Sequence, residues 1–216
     1  PAHADHLSAA DYVRAQTGAK IGIGAKITDV QKLFRPVFNA GDVCDHGAAF
    51  DTLFSDGDEI KLGDSTINVM HTPGHTPACV TYLIDDAAFV GDTLFMPDYG
   101  TARADFPGGD ARTLYQSIQK ILNLPRETRI YVGHDYLPAD RTQVAWESTV
   151  AEQADSNIHV SNKSEDAFVE MREARDETLA APRLILPSLQ VNIRAGALPP
   201  PEQDGHSYLK LPINRL

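Results

Sequence analysis

The sequence predicts a layered fold that mixes α-helices with β-sheet, and three observations carry that expectation. Short segments of alternating hydrophobicity give way to segments of helical period. Strand pairs are joined by tight turns of Gly and Asp. Histidine and aspartate recur just after apolar runs that read as strands, where a rigid sheet can aim them.

At 216 residues, with 42% hydrophobic side chains, the chain can build one good-sized core, or one domain with an appendage. A formal charge of −11 leaves no overall basic footprint for nucleic acid or an anionic membrane. No apolar run approaches the roughly 18 residues of a membrane span, and no basic segment followed by an apolar one marks a signal peptide. Cys44 and Cys79 make no disulfide framework. Cys79 lies in the apolar run Ala78 to Ile84 and reads as a buried, inert thiol, which points to a reducing, cytoplasmic setting.

Taken in order, Ser8 is placed to cap a helix through Gln16, with Leu7 and Tyr12 as a staple and Gly18 past its end. Ala19 to Ile23 reads as a short strand. Thr28 to Phe50 has apolar residues without a clean period and reads as irregular or short helix; His46 within it reads as an ordinary loop residue. Glu59 to Leu62 and Thr66 to His71 form a hairpin across Gly63-Asp64, and Val80 to Ile84 with Ala87 to Val90 form a second pair across Asp85-Asp86. Thr93 to Gly109 is a long loop rich in Gly, Pro and Asp. Asp110 caps an amphipathic helix, Ala111 to Asn123, and Arg129 to Val132 is a strand that delivers His134. Ser164 caps a helix through Leu179, with Phe168, Met171, Ala174 and Leu179 expected inward and Glu170, Arg172, Glu173 and Arg175 outward in water. Residues 1–182 read as one domain, and 183–216 as an irregular proline-rich tail packed on that domain or on a sister subunit.

The turn His3-Ala4-Asp5-His6 sets two imidazoles and a carboxylate just ahead of the first helix. Imidazole nitrogen and carboxylate oxygen suit zinc and non-haem iron. Three later segments extend the set: His75 in Thr72-Pro73-Gly74-His75-Thr76-Pro77, Asp92 in Val90-Gly91-Asp92-Thr93, and His134 in Gly133-His134-Asp135-Tyr136. His71, at a strand end, reads as a supporting residue.

In that order the four segments resemble the metallo-β-lactamase superfamily, in which such motifs converge on one or two metal ions. The resemblance implies an α+β fold, the αββα four-layer sandwich, and makes His3, Asp5, His6, His75, Asp92 and His134 the metal ligand candidates, with Asp5 also a catalytic candidate. The superfamily's first motif reads His-x-His-x-Asp-His, and Pro1 stands at its first His. The strands that normally precede this motif are expected to be missing from the chain.

Gly91-Asp92-Thr93-Leu94-Phe95, the loop Asp98 to Gly109 and Gly133-His134-Asp135-Tyr136 look like the persulfide dioxygenases. Asn157-Ile158-His159-Val160 and Leu184 to Pro201 resemble a bacterial branch of them, of the β-lactamase-like hydrolase type. This resemblance implies one iron(II) per chain, bound by the first motif His, His75 and Asp92, with glutathione persulfide and O2 as substrates and sulfite and glutathione as products. With Pro1 at the first position, His3 would have to take over that role. Tyr136 would orient substrate from beside the metal. Arg103 and Asp105 would hold each other and shape the pocket loop, and Arg194, Arg183 or Lys210 could meet the carboxylates of glutathione. No nucleic-acid or membrane partner is implied, and a homodimer through the tail is left open. Two other functions compete: a dinuclear zinc hydrolase cleaving a thioester in the manner of glyoxalase II, and a relative that keeps the fold without turnover.

Overall fold

The computed structural model describes residues 3–214, with helices and strands alternating along most of that length. In chain order the elements are α1 (Ala10–Thr17), β1 (Gly22–Gly24), α2 (Ile27–Val37), β2 (Thr52–Phe54), β3 (Glu59–Leu62), β4 (Ser65–His71), β5 (Val80–Ile84), β6 (Ala87–Gly91), α3 (Ala111–Leu122), β7 (Arg129–Val132), β8 (Glu147–Thr149), α4 (Val150–Ser156), α5 (Glu165–Asp176) and α6 (Ile185–Asn192). They fall into two units: one takes in the chain as far as Phe54 and again from Ala180, and the other runs from Ser55 to Leu179.

The second unit is built on a six-stranded sheet in the order β3-β4-β5-β6-β7-β8. Neighbours are antiparallel except β6 and β7, which run parallel because α3 intervenes and returns the chain to the same end. Both hairpins form where the turn residues place them, with Gly63 and Asp85 supplying the positive φ that such tight turns need. Alternation then sends Ala88, Val90 and Ile130 to one face, where they bury against Leu114, Ile118 and Ile121 of α3 and Phe168 of α5. The Asp110 side chain caps α3 by accepting the Thr113 N–H at 2.7 Å.

The face assigned to α5 is partly overturned. Ser164 does cap the helix, accepting the Ala167 N–H, and Phe168 is fully buried. Arg172 and Asp176, however, follow it at spacings of four and are buried too, whereas Ala174 and Leu179 are exposed. A charge run read by residue type alone looks solvated; here two opposite charges four apart pair on the inner face at 2.7 Å.

In the first unit, β1 and β2 form a two-stranded parallel sheet. The segment read as irregular or short helix holds helix α2, whose buried residues are Ile27, Val30, Gln31 and Phe34. Gln31 interrupts the apolar stripe yet sits inside it, because its amide is fully used: Nε2 donates to the Ile193 carbonyl at 2.9 Å and Oε1 accepts the Gly47 N–H at 3.1 Å. Ser8 is not the N-cap of α1. That position falls to Ala9, while Ser8 Oγ accepts the Ala10 N–H and the Ser8 N–H points to Asn192. Gly18 ends α1 in the left-handed conformation, as expected.

Within the tail segment read as irregular, α6 forms despite Pro187, which occupies the first turn, where a backbone N–H has no helical partner to lose. Beyond α6 the described chain has no further helix or strand. Among the described residues, no helix is long and apolar enough to cross a membrane.

Candidate metal centre

In the second unit, three loops leave the strands carrying His75, Asp92 and His134. The loop after β4 is fixed before it reaches His75. Ser117 Oγ donates to the Pro73 carbonyl at 2.6 Å, and the Asp110 N–H donates to the Gly74 carbonyl at 2.8 Å. Gly74 has φ +131°, and a Cβ there would lie 2.3 Å from the backbone of Leu114, so only glycine fits between this loop and α3.

His75 is buried, and its Nδ1 lies 2.8 Å from the Arg103 carbonyl. A carbonyl can only accept, so Nδ1 carries the proton and the lone pair lies on Nε2. That Nε2 faces Asp92 Oδ2 at 3.7 Å, while His134 Nε2 faces Asp92 Oδ1 at 3.5 Å. The second approach depends on Gly133, where a Cβ would lie 2.7 Å from Asp92 Oδ1. Two donors each about 2.1 Å from a common ion stand roughly 3.0–3.5 Å apart, so these separations suit metal ligands better than hydrogen-bonded pairs. The donor set, two imidazole nitrogens around one carboxylate, fits iron or zinc.

Tyr136 stacks on His134, with centroids 5.4 Å apart, and on Tyr99 at 4.8 Å, and meets the edge of Phe95 at 5.2 Å. Arg103 and Asp105 hold each other through two hydrogen bonds of 2.5 and 2.6 Å, and the guanidinium keeps the Asp105 carboxyl below its usual range. The Arg103 guanidinium also lies over the Phe106 ring, whose edge meets the His75 imidazole at 5.5 Å. His71 Nε2 is occupied by the Pro77 carbonyl at 2.9 Å.

In the first unit, the turn 3–6 brings the rings of His3 and His6 within 5.6 Å, with His3 buried, Asp5 half-buried and His6 exposed. Asn192 of α6 fastens this turn. Its Nδ2 donates to the His3 and His6 carbonyls at 2.9 and 2.8 Å, and its Oδ1 accepts the Ser8 N–H at 2.8 Å. Pro1 lies outside the described residues. Arg194 is engaged by Asp42 through hydrogen bonds of 2.7 and 2.8 Å and is 8% exposed, so its guanidinium is already neutralised.

Several supports were not visible in the sequence. Arg141 grips Asp135, the residue after His134, with two 2.6 Å hydrogen bonds and also reaches Asp98 at 2.7 Å. His159, picked out only as part of a resembling segment, accepts the Thr101 N–H through Nδ1 at 3.0 Å. Neither Asn192 nor Arg141 lies in a motif of its own, and no local pattern marks them.

Residues 2–134 match the profile of the metallo-beta-lactamase superfamily. The chain belongs to that superfamily. Its mixed α+β architecture is the metallo-β-lactamase fold, and membership brings metal binding with it and suggests an enzyme. It is 56% identical to the beta-lactamase hydrolase-like protein of Agrobacterium fabrum over 99% of its length, and spans 49% of that protein. It thus covers about half of such relatives. It is 50% identical to Glyoxylase B2 of Dictyostelium discoideum, over 99% of this chain and 74% of that one. The mitochondrial persulfide dioxygenase ETHE1 of Mus musculus is 35% identical over 72% of this chain and 58% of its own. The crystal structure of ETHE1 from Myxococcus xanthus superposes with a TM-score of 0.72 at 29% identity, covering 91% of this chain and 75% of that one.

Proposed function

We propose that the chain is a cytoplasmic bacterial persulfide dioxygenase: glutathione persulfide, O2 and one water give glutathione, sulfite and two protons at a single iron(II). In this reading, as the family resemblance implies, His3 would take over the role of the first motif His and would bind the metal with His75 and Asp92. An iron held by two imidazoles and a carboxylate would supply the chemistry of bringing a persulfide sulfur and O2 together.

The remaining roles belong to the chain's own side chains. The Arg103 carbonyl keeps the His75 proton on Nδ1. The Arg103–Asp105 pair stiffens the loop over His75, and Tyr136, braced by Tyr99 and Phe95, presents a hydroxyl to the substrate. What carries this reading is the Arg103-Ala104-Asp105-Phe106 segment wrapped around His75, a motif more specific than the metal ligands alone.

A second reading has its own observation. Asp92 offers a separate oxygen to each of two imidazoles, as a carboxylate bridging two ions would, and relatives over the whole chain carry hydrolase-like and glyoxylase names. A dinuclear zinc centre would then serve thioester hydrolysis. Purification without oxygen, metal analysis and assays on both substrates separate the two. About one iron per chain with O2 uptake and sulfite formation from glutathione persulfide supports the dioxygenase. Two zinc ions with thioester cleavage and no sulfite overturn it.

A further inference from the structure

Arg172 and Asp176 are 1% and 4% exposed, and no step proposed above uses them. An i,i+4 ion pair would be satisfied as well on the solvent side of α5, so burying it incurs a desolvation cost without a gain in helix stability. Its polar atoms show what it holds. Arg172 donates through Nε to Asp176 Oδ1 at 3.0 Å and through Nη1 to the Thr101 carbonyl at 3.2 Å. Asp176 Oδ2 accepts the Ala104 N–H at 2.8 Å. On the other side, His159 Nδ1 accepts the Thr101 N–H, so Thr101 is held at both its N–H and its carbonyl. Between these fixed points lies Arg103, whose carbonyl receives the His75 Nδ1–H, and whose guanidinium reaches the Leu179 carbonyl just past α5 at 3.4 Å.

We propose that Arg172 and Asp176 are positioning residues for the metal: by pinning Thr101 and Ala104 they fix the Arg103 carbonyl, which holds His75 in the tautomer and orientation that present Nε2 to the ion. The inference rests on the reading of His75 as a ligand. Groups that orient a metal-bound imidazole typically govern metal affinity by 10- to 100-fold. Loss of the pair therefore acts on metal binding beyond its effect on folding: apolar replacements of similar volume are tolerated where a buried ion pair stood, and the folding cost is that of the Thr101 carbonyl and the Ala104 N–H left without these partners.

The test compares the intact chain with Arg172→Met/Asp176→Leu and with His75→Ala, measuring affinity for Fe(II) and Zn(II) by chelator competition alongside the metal-free melting temperature. The expected result is a 10- to 100-fold loss of affinity in a double variant that still melts cooperatively without metal, at a temperature lowered by the two backbone groups left without partners. Unchanged affinity in a folded double variant overturns the proposal. Unchanged affinity in His75→Ala overturns the ligand reading itself, so the two failures are told apart. NMR of the intact chain decides the matter if the double variant does not fold. The Ala104 amide is expected to exchange as slowly as the core of α5, with His75 protonated at Nδ1. Rapid exchange at Ala104, or a proton on His75 Nε2, overturns it.

Discussion

The side-chain amide of Asn192 donates a 2.9 Å hydrogen bond to the carbonyl of His3, 189 positions earlier in the chain. With its bonds to His6 and Ser8, one buried amide satisfies three backbone groups of the turn that carries the histidines. Asn192→Asp keeps the shape but replaces a double donor by an acceptor facing two carbonyls. A loss of about 1–3 kcal/mol in urea unfolding is expected, with metal affinity at least about tenfold weaker if the turn supplies a ligand. Wild-type stability and affinity would refute the clamp.

Asp135 is held between Arg141 and the N–H groups of Leu137 and Ala145, and the guanidinium drives its carboxyl far below the usual range. A carboxyl depressed on folding adds stability that is full above its unfolded value near 4 and fades as pH falls toward the folded value. Arg141→Ala should therefore destabilise the fold at pH 7, where Asp135 is fully ionised. The gap from wild type should shrink at pH 3. Urea titrations at the two pH values check this; a gap that does not narrow contradicts it.

His159 is buried and neutral, its pKa lowered from 6.5 to about 4, chiefly by burial and then by the charge of Arg172. Above pH 6.5 both folded and unfolded chains hold it neutral, and nothing is lost. Between about pH 6.5 and 4 the unfolded chain takes up the proton first, so folding weakens, and below 4 the loss is complete. His159→Gln keeps an acceptor for Thr101 but cannot titrate. Over that window its stability should fall by on the order of 2 kcal/mol less than that of wild type, measured as the difference between two pH series.

The two cysteines differ in access. Cys44 is exposed, while Cys79 is buried against Thr76 and its thiol is pushed up by burial. A thiolate reagent at pH 8 should titrate one thiol per folded chain and two in denaturant. Cys44→Ser should abolish the native reaction; persistent native labelling would place Cys79 at the surface.

Legibility followed the range of the interactions. The hairpins at Gly63-Asp64 and Asp85-Asp86 and the Asp110 cap were readable because each is settled within a few residues by turn and capping chemistry. His75, Asp92 and His134 were readable as a motif, and the structure brings the two imidazoles to within 4 Å of the Asp92 carboxylate. Helix α2 stays open between irregular and short helix in the sequence because Gln31 breaks its apolar stripe, and a glutamine is tolerated there only through partners at Gly47 and Ile193. The inner face of α5 was misread for the same reason: Arg172 is acceptable in a core only with Asp176 and the Thr101 carbonyl beside it.

By itself, then, the sequence determined the α+β class, the strand pairs and the residue types able to bind a metal, since periodicity, turn chemistry and donor atoms are properties of short stretches. Tertiary structure alone decided which polar groups hold those donors in place. Asn192, Arg141, Arg172 and Asp176 carry no local signature, because a buried hydrogen bond or charge is stable only when a partner distant in sequence reaches it.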